Sequence, residues 1–465
     1  MTLPSDIKDV YFIGIGGYGM SALAQILLQK GYRVSGSDLK ASPLTEDLAA
    51  RGAAIFIGHH PANLGSAGLV VYSTAIAPDN PEMKEAARRG LPLWHRSELL
   101  ADLLNSSFGI AVAGAHGKTT TTAMIALLLE AAGLDPTAVI GGVLPAYGRN
   151  ARLGSGPYLV AEADESDSSF TRYFPRLILV TGIEPDHLEH YNNDYGKLLQ
   201  AYEKFLHNLP PEGTAVLCFD DPALREMACR LECRVVSYGL TTRADWPVDY
   251  AAGKITFQGS GSQFNLTRYS SPCASAITLN IPGRHNISNA VGALALADCL
   301  GIDPASCSPA LASFNGVKRR FERIGTAGDI SVIDDYAHHP TEVKSTLEAA
   351  RLAGSRIICL FQPHRYSRTA ARFDGFASAF SGADYLFLHD IYGAGEEPLP
   401  GISAETLAEA IRSRSRIPVV YNSDIKALEK EAAALARPGD LIITMGAGDV
   451  TAAAPRILEL LKEKK

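Results

Sequence analysis

Long apolar runs and an excess of positive charge are both missing from this 465-residue sequence. No stretch reaches the roughly 18 unbroken apolar residues that a membrane-spanning helix needs. The 43 Lys and Arg residues are outnumbered by 50 Asp and Glu, so the formal net charge of −7 supplies no general field for holding nucleic acid or an anionic bilayer. We therefore expect no nucleic-acid and no membrane partner, and any phosphate binding must be local.

Paired cysteines are missing as well. The seven cysteines are odd in number, and none forms C-x-x-C or another spacing typical of a zinc site. The first residues carry acidic side chains and a short apolar stretch, where a signal peptide would have basic residues and a long apolar region. These features predict reduced thiols and a cytoplasmic location.

The composition that remains is that of an ordinary globular protein, with 46% hydrophobic and 20% charged residues. A length of 465 residues predicts about three domains. Strand and helix patterns alternate along much of the chain, which predicts an α/β fold with parallel sheets. Between residues 214 and 279 the helices thin out and short alternating strands follow, which indicates a β insertion.

The most specific motif is a glycine loop between an apolar strand and a helix, Gly114-Ala115-His116-Gly117-Lys118-Thr119. Glycines allow backbone N–H groups to turn towards phosphate oxygens, and the helix points its positive end at the same anion. Lys118 is placed to reach the outer phosphates and Thr119 to ligate magnesium. The loop departs from G-x-x-x-x-G-K-[ST] at its first position, where Val112 stands. The alternative is a plain glycine turn before an amphipathic helix.

A second glycine turn, Gly14–Gly19, lies near the start of the chain and fits G-x-G-x-x-G. It is predicted to join a strand over residues 9–15 to a helix over Met20–Gln29. Asp38 stands about where an acidic residue meets a ribose hydroxyl in a dinucleotide fold. By itself this pattern is weakly specific, and it suggests NAD binding.

Carboxylates are concentrated in Glu162-Ala163-Asp164-Glu165-Ser166-Asp167, which follows a predicted strand at Tyr158–Ala161. Mg²⁺ is usually held by one or two carboxylates together with phosphates and water. Glu162, expected as the first residue beyond the strand, is the favoured ligand together with Thr119. The alternative for Asp164, Glu165 and Asp167 is a solvated acidic turn.

Several further polar residues leave alternatives open. His187, after another strand, is predicted as a metal ligand, a phosphate contact or an ordinary loop residue. Asn286 and Asn289 suit an adenine edge, although Asn286 also suits a helix cap. Arg319 and Arg320 are placed to bring positive charge to a transferring phosphoryl group.

Two loops in the last third of the chain are rich in His, Arg and Tyr. Residues 334–340 and 362–369 each follow a predicted strand. Ligands of open α/β sheets bind beyond the carboxyl ends of the strands, so these loops predict a site for a small carboxylate. The paired His338 and His339 also suggest a metal, but no third soft ligand stands at a suitable spacing.

Taken together, these motifs resemble the Mur ligases of peptidoglycan synthesis, and within them the members that add L-alanine. The matching stretches are 14–21, 114–121, 162–167, 186–187, 283–286, 319–321, 335–340 and 364–369. The resemblance implies an α/β protein of three domains. They are an N-terminal Rossmann-like domain for a UDP-sugar (1–106), a central P-loop ATPase-type domain with a β insertion (107–321) and a C-terminal Rossmann-like domain for an amino acid (322–465).

The same resemblance implies the reaction. ATP would phosphorylate the lactyl carboxylate of UDP-N-acetylmuramate, and the amine of L-alanine would attack the acyl phosphate to give UDP-N-acetylmuramoyl-L-alanine, ADP and phosphate. The implied cofactor is Mg²⁺, as two ions, and the implied assembly is a monomer or weak homodimer. The first glycine turn would then cradle the diphosphate of UDP rather than NAD.

The resemblance also implies roles for individual residues. The catalytic residues implied are Lys118, Glu162, His187, Arg320 and His338, of which Glu162 and His187 join Thr119 as metal ligands. ATP would contact Gly114, His116, Gly117, Lys118, Thr119, Thr120, Asn286, Asn289, Arg320 and Asp335. The UDP-sugar would contact Gly14, Gly16, Gly17, Gly19, Met20, Ser37, Asp38, Ser73, Thr74 and Ala75. L-Alanine would contact Tyr336, His338, His364, Arg365 and Arg368.

Three residues depart from the family pattern: Ala115 replaces a threonine, Gly182 an asparagine, and Tyr18 a smaller residue. Other functions stay open at this stage. A recycling ligase that joins a whole peptide to UDP-N-acetylmuramate has similar first two domains, and a folylpolyglutamate-type ligase shares the ATPase features. A P-loop kinase, an NAD-dependent dehydrogenase and a nucleotide-binding regulator without catalysis are the alternatives from other classes.

Overall fold

The computed structural model describes residues 3–4, 6–240, 242–243, 245–259, 261–353 and 356–464. They form two compact units. The first comprises the chain up to residue 253 together with 265–277 and 288–311, and the second comprises 254–264, 278–287 and the chain from 312 onward.

The first sheet contains five parallel strands in the order β3-β2-β1-β4-β5. Its elements are β1 (Asp9–Ile13), α1 (Tyr18–Gln29), β2 (Arg33–Asp38), α2 (Pro43–Ala50), β3 (Ala54–Ile57), β4 (Leu69–Tyr72), α3 (Pro81–Arg88), β5 (Leu93–His95) and α4 (Arg96–Asn105). The strand order reverses between β1 and β4. Ligands of open α/β sheets bind beyond the strand ends at such a point, which is where the first glycine turn lies.

The second sheet has ten strands in the order β15-β14-β13-β12-β11-β10-β6-β9-β7-β8. Its strands are β6 (Phe108–Ala113), β7 (Thr137–Leu144), β8 (Arg149–Arg152), β9 (Tyr158–Glu162), β10 (Leu177–Val180), β11 (Thr214–Cys218), β12 (Arg234–Gly239), β13 (Tyr250–Gln258), β14 (Gly261–Arg268) and β15 (Ser271–Leu279). The helices of this stretch are α5 (Lys118–Ala131), α6 (Tyr195–Leu206), α7 (Pro222–Ala228), α8 (Arg284–Cys299) and α9 (Ser308–Ser313). β6 pairs in parallel with both β9 and β10, so the loops that follow these three strands lie at one edge of the sheet.

The third sheet has six strands in the order β16-β17-β21-β18-β19-β20, parallel except for the edge strand β16. The strands are β16 (Glu322–Ala327), β17 (Ile330–Asp335), β18 (Arg356–Phe361), β19 (Tyr385–Leu388), β20 (Val419–Tyr421) and β21 (Asp440–Met445). The helices are α10 (Pro340–Ala353), α11 (Tyr366–Ala371), α12 (Phe373–Ala377), α13 (Ala404–Arg414), α14 (Ile425–Leu435) and α15 (Ala453–Glu463).

Both faces of the third sheet are buried, as parallel strands require. Successive strand residues point to opposite faces, so Ile333 and Ile443 belong to one apolar cluster and Val332 and Ile442 to the other. This explains why the central strands β18 and β21 carry runs of consecutive apolar residues, over 357–361 and 441–443, rather than alternating ones.

The predicted α/β class is confirmed, and α1 ends at Gln29 as predicted, but β1 ends at Ile13 rather than at residue 15 and α1 begins at Tyr18 rather than at Met20. Glu162 is the last residue of β9 rather than the first residue beyond it, which corrects the predicted position. β7 and β8 were not predicted, because their Gly-rich and Arg-rich sequences lack a clear strand pattern. Among the helices in the described parts of the chain, none combines the length and apolar character needed to cross a bilayer.

Candidate active site

The phosphate loop lies between β6 and α5, and its glycines are required by their surroundings. Gly117 has φ +82°, and a Cβ there would lie 2.5 Å from Oδ1 of Asn289. Gly114 has φ +128°, and a Cβ there would lie 2.1 Å from Oγ1 of Thr181. Any side chain would therefore clash, in a backbone conformation that L-residues rarely adopt. The close approach also places Asn289, one of the predicted ATP contacts, beside the loop.

Two hydrogen bonds with the residues just after β10 hold this loop in place. The hydroxyl of Thr181 donates to the carbonyl of His116 at 2.5 Å, and the N–H of Ala115 donates to the carbonyl of Gly182 at 2.9 Å. Gly182 has φ +152°, which favours glycine at this position. The departure from the family pattern at Gly182 thus lies at a direct backbone contact with the loop.

Lys118 is the first residue of α5, and its ammonium group donates to three acceptor atoms on two residues. Its Nζ donates to the carbonyl of Gly114 at 2.7 Å and to the two carboxylate oxygens of Glu165 at 2.9 and 2.8 Å. Burial by itself lowers the pKa of Lys118, but the negative charges of Glu165 and Asp164 outweigh it and raise that pKa above its usual value. The ammonium group is therefore charged and held at the loop.

Glu165 is 2% exposed, so the solvated-turn alternative is wrong for this residue. Asp164 keeps its charge as well: burial opposes its ionisation, but Lys118 and Arg96 outweigh that effect and lower its pKa to about 2. Asp164 and Glu165 thus each have a cationic partner, Arg96 and Lys118, next to the phosphate loop.

A hydroxyl and a carboxylate suited to a hard cation meet beside Lys118. The Thr119 hydroxyl donates to Oε2 of Glu162 at 3.1 Å, and the other Glu162 oxygen accepts the Gly141 N–H at 2.5 Å. Oxygen donors of this kind fit Mg²⁺. His187, with φ +53°, has its two ring nitrogens 3.6 Å from carboxylate oxygens of Asp186 and Glu189.

The first glycine turn is fixed by the residues at the end of β2. The Gly16 N–H donates to Oδ2 of Asp38 at 2.8 Å, and the N–H groups of Gly14 and Ile15 donate to the carbonyl of Ser37 at 2.8 and 2.9 Å. The Asp38 carboxylate thus stabilises the turn itself. Among the other predicted contacts, Met20 is buried in α1, and Ser73, Thr74 and Ala75 form the loop after β4.

Beneath this turn lies a buried carboxylate that the sequence patterns did not indicate. Glu82 is fully buried and accepts from the hydroxyls of Tyr11 and Ser37 at 2.8 and 2.5 Å and from the amide of Asn63 at 2.8 Å. Nδ1 of His59 lies 3.0 Å from it. Satisfied networks of this kind rigidify their surroundings, so Glu82 connects β1, β2 and the segment 59–63 that follows β3.

In the second unit, the neighbouring arginines have different partners. Arg319 forms a buried ion pair with Asp334 at 2.8 Å and donates to the carbonyl of Gly446 at 2.6 Å. Arg320 lies 3.6 Å from a Glu342 carboxylate oxygen. Both guanidinium groups lie over the ring of Tyr336, at 5.2 and 5.1 Å from its centroid. Arg319 thus stabilises the domain, which leaves Arg320 as the better candidate for phosphate contact.

Asp335 and Asn286 each form hydrogen bonds with backbone groups of the second unit. Asp335 accepts the N–H groups of Phe321 and Ala337 at 2.6 and 2.7 Å, and burial raises its pKa to about 6. Asn286 is the third residue of α8 rather than the residue before it, and its amide donates to the carbonyl of Pro282 at 2.6 Å. The predicted cap at Asn286 is therefore wrong in position.

Two histidines in the loops after β17 and β18, His338 and His364, are held neutral. Burial lowers the pKa of His338 to about 4, and burial together with His338 and Arg368 lowers that of His364 to about 3. Nδ1 of His338 lies 3.0 Å from the Tyr336 carbonyl, and Nδ1 of His364 lies 3.2 Å from Nη1 of Arg368. These contacts place the lone pair of His338 on Nε2 and that of His364 on Nδ1.

Two further residues lie next to His364: Tyr392, whose ring packs on it, and Arg365, which follows it in sequence with a strained backbone. The ring of Tyr392 stacks on His364, with centroids 5.7 Å apart and planes 13° apart. Arg365, just before α11, has φ +66°, a conformation that costs on the order of 1–3 kcal/mol and is typical of functional sites. The predicted amino-acid contacts Tyr336, His338, His364 and Arg368 thus form one cluster within this unit.

Comparison with known proteins agrees with this architecture. Three family models match in order: the catalytic domain of the Mur ligase family over residues 9–108, the Mur ligase middle domain over 112–297 and the Mur ligase glutamate ligase domain over 319–448. The chain belongs to the Mur ligase family. The resemblance carried by the motifs is thereby confirmed.

Two curated relatives match this chain over almost its whole length. The chain is 47% identical over 456 residues to the UDP-N-acetylmuramate--L-alanine ligase of Anaeromyxobacter dehalogenans, covering 97% of this chain and 98% of that one. It is 44% identical over 462 residues to the ligase of the same name from Sorangium cellulosum, covering 98% and 97%.

Two solved structures of Mur ligases superpose on nearly the whole of this chain. The UDP-N-acetylmuramate-alanine ligase MurC of Thermotoga maritima superposes with a TM-score of 0.84 at 29% identity, covering 98% of this chain and 100% of that one. A murein peptide ligase from Psychrobacter arcticus superposes with a TM-score of 0.72 at 27% identity, with 98% of each chain covered.

Proposed function

We propose that this protein uses ATP to ligate L-alanine to the lactyl carboxylate of UDP-N-acetylmuramate, giving UDP-N-acetylmuramoyl-L-alanine, ADP and phosphate. The observation that carries the proposal is the charged Lys118 beside the Thr119–Glu162 pair in the phosphate loop of a Mur ligase. The names of the curated relatives support L-alanine as the amine substrate. The proposal includes a cytoplasmic location and a monomer or weak homodimer.

The proposed domain roles follow the three sheets. Residues 1–106 bind the UDP-sugar at the first glycine turn, residues 107–321 bind ATP, and residues 322–465 bind the amino acid. Gly17 and Gly117 are the N-cap residues of α1 and α5, and glycine has no side chain to occupy the first helical N–H groups. By contrast, Ser42, Asn80 and Asp194 cap other helices with their side chains. Both glycine turns are thus suited to anions.

Lys118 carries the largest share of the phosphoryl-transfer step. Its ammonium offsets negative charge on the outer phosphates as the γ-phosphoryl group moves to the lactyl carboxylate. Thr119, Glu162 and His187 are the proposed ligands of Mg²⁺, which when bound withdraws charge from the phosphates and orients them. Arg320 adds positive charge to the same group.

The C-terminal residues bind the amino acid in the proposed second step. Arg365 and Arg368 pair with the carboxylate of the amino acid. The positive charge there comes from these two arginines, because the neighbouring histidines are neutral. Nε2 of His338 accepts a hydrogen bond from the amino group and orients it. That amine, in its neutral form, then attacks the acyl phosphate carbonyl, so that the C–N bond forms and the C–O bond to phosphate breaks, and the departing phosphate takes up the proton that the nitrogen loses.

Phosphate release from ATP, with each substrate omitted in turn, tests the function. We expect release only when Mg²⁺, UDP-N-acetylmuramate and L-alanine are all present. Release with a muramyl-type tripeptide in place of L-alanine would instead indicate the recycling ligase. Release that needs neither amine nor UDP-sugar would contradict both.

A further inference from the structure

Arg96 places a guanidinium group between the two ligand regions of the first unit. It is the first residue of α4, and its Nη2 lies 3.3 Å from Oδ2 of Asp164 in the acidic loop. On the other side, a Cβ built on Gly19 would lie 3.2 Å from Nη1 and 3.8 Å from Cδ of the same arginine. Arg96 thus lies against the last glycine of the first turn and next to the loop that pairs with Lys118.

The hydrogen-bonding capacity of this guanidinium is mostly unused. An arginine side chain has five N–H donors, and in the described parts of the chain Asp164 is its one acceptor, at the long distance of 3.3 Å. The Arg96 side chain is 22% exposed. A cation that is largely removed from water with one long hydrogen bond is costly, unless a ligand supplies further acceptors.

The surroundings define which ligand fits. An anion on the Gly19 side of Arg96 would extend from the first glycine turn towards the acidic loop. Lys118 and Asp164 interact electrostatically, so the phosphate loop of the same unit lies close by. A group bound at Arg96 would therefore lie between the turn proposed for the UDP-sugar and the loop proposed for the phosphates of ATP.

We propose that Arg96 binds the lactyl carboxylate of the sugar nucleotide and presents it for phosphorylation. This inference rests on the proposed function. A guanidinium fork matches a carboxylate with two parallel hydrogen bonds, whereas Asp164 supplies only one. Asp164 balances the charge of Arg96, and the substrate carboxylate binds the donors that Asp164 leaves unused.

Gly19 is part of the same arrangement. A side chain at this position would meet the Arg96 guanidinium, so glycine leaves room for the arginine and its ligand. This assigns Gly19 a role beside the carboxylate in addition to the turn.

The test compares two nucleotide sugars that differ in the carboxylate. UDP-N-acetylglucosamine lacks the lactyl ether of UDP-N-acetylmuramate and keeps the diphosphate. Arg96→Met keeps much of the length of the side chain and removes its charge. We expect Arg96→Met to weaken binding of UDP-N-acetylmuramate by about 10- to 100-fold and that of UDP-N-acetylglucosamine by less than about threefold, measured by calorimetry on the full chain.

Equal losses for both sugars would assign Arg96 to the diphosphate and overturn the proposal, and so would no loss for either. Arg96→Lys serves as a second variant if thermal unfolding shows that Arg96→Met is destabilised. It keeps the charge without the fork, so a smaller loss confined to UDP-N-acetylmuramate is expected. Ligation by the unmodified protein is measured in parallel, because its absence would contradict the proposed function and not the role of Arg96.

Discussion

The two glycine turns of the first unit lie at similar places in the fold, but the charged side chains beside them differ. Each follows a parallel strand and precedes a helix whose N-cap is glycine. The first turn has no lysine, and the Asp38 carboxylate fixes its backbone through the Gly16 N–H. The second has Lys118, which is paired with Glu165. Under the proposed function, the comparison teaches that a glycine turn of this kind is suited to holding an anion, and that the lysine held beside the second turn adds the charge needed for phosphoryl transfer.

Lys118→Met gives the largest expected effect on this comparison. We expect turnover to fall by at least about 10³-fold, because the charge on the transferred group loses its main counter-ion. The substitution also leaves Glu165 buried without its partner, which costs about 3–5 kcal/mol of unfolding free energy. Phosphate release and urea unfolding measure the two effects.

A double variant separates the loss of turnover from the loss of stability. Lys118→Met combined with Glu165→Gln removes both charges, so stability should return towards that of the unmodified protein while turnover stays low. Recovery of turnover in the double variant would contradict the catalytic role of Lys118.

Lowering the pH from 7.5 to 5 should leave the charges beside the second glycine turn unchanged and should destabilise the region of the neutral histidines in the other unit. The pKa of Asp164 is about 2 and that of Lys118 is raised, so both stay charged from pH 5 to pH 7.5. The pKa of His338 is lowered from 6.5 to about 4, so its contribution to stability is fully present above pH 6.5 and is lost as the pH falls below that value. At 1.36 kcal/mol per pH unit, about 2 kcal/mol is lost by pH 5.

Urea unfolding at pH 7.5 and 5 of the unmodified protein and of His338→Gln measures this loss. The variant should lose about 2 kcal/mol less between the two pH values. An identical loss in both proteins would show that His338 is not held neutral.

Glu165→Gln tests how Lys118 is held. We expect kcat to fall about tenfold, because the ammonium loses its charged anchor while the shape of the side chain is kept. The KM for ATP should stay the same or fall, since the carboxylate no longer competes with phosphates for Lys118. A raised KM with an unchanged kcat would contradict this role.

Gly16→Ala gives the smallest expected effect and concerns the first turn alone. The new Cβ would lie 2.8 Å from Oδ2 of Asp38 and displace the carboxylate that fixes the turn. We expect the KM for UDP-N-acetylmuramate to rise about fivefold with the KM for ATP unchanged, a loss of roughly one hydrogen bond. Gly253→Ala, where a Cβ meets nothing within 4 Å, is the matched control and should leave both KM values unchanged.

Local patterns predicted the parts of the fold and site that depend on neighbours in sequence. The phosphate loop, the start of α5 and the central strands of the third sheet follow from glycines, a lysine and apolar runs. The partners of these residues lie far along the chain: Glu165 is 47 residues from Lys118, and Glu82 is 71 residues from Tyr11. Tertiary packing brings these pairs together: the sequence placed Glu165 in an acidic cluster without indicating that it pairs with Lys118, and no pattern indicated Glu82. Arg96 gave no signal either, because its neighbours come from two different loops.

Transfer of labelled oxygen tests the central claim that ATP activates the lactyl carboxylate. UDP-N-acetylmuramate with both carboxylate oxygens as ¹⁸O is incubated with ATP, Mg²⁺ and L-alanine, and the released phosphate is examined by mass spectrometry. Attack of the carboxylate on the γ-phosphorus followed by attack of the amine predicts one ¹⁸O in each phosphate and one in the new amide. Unlabelled phosphate, or label in AMP, would contradict an acyl phosphate and the account built on it.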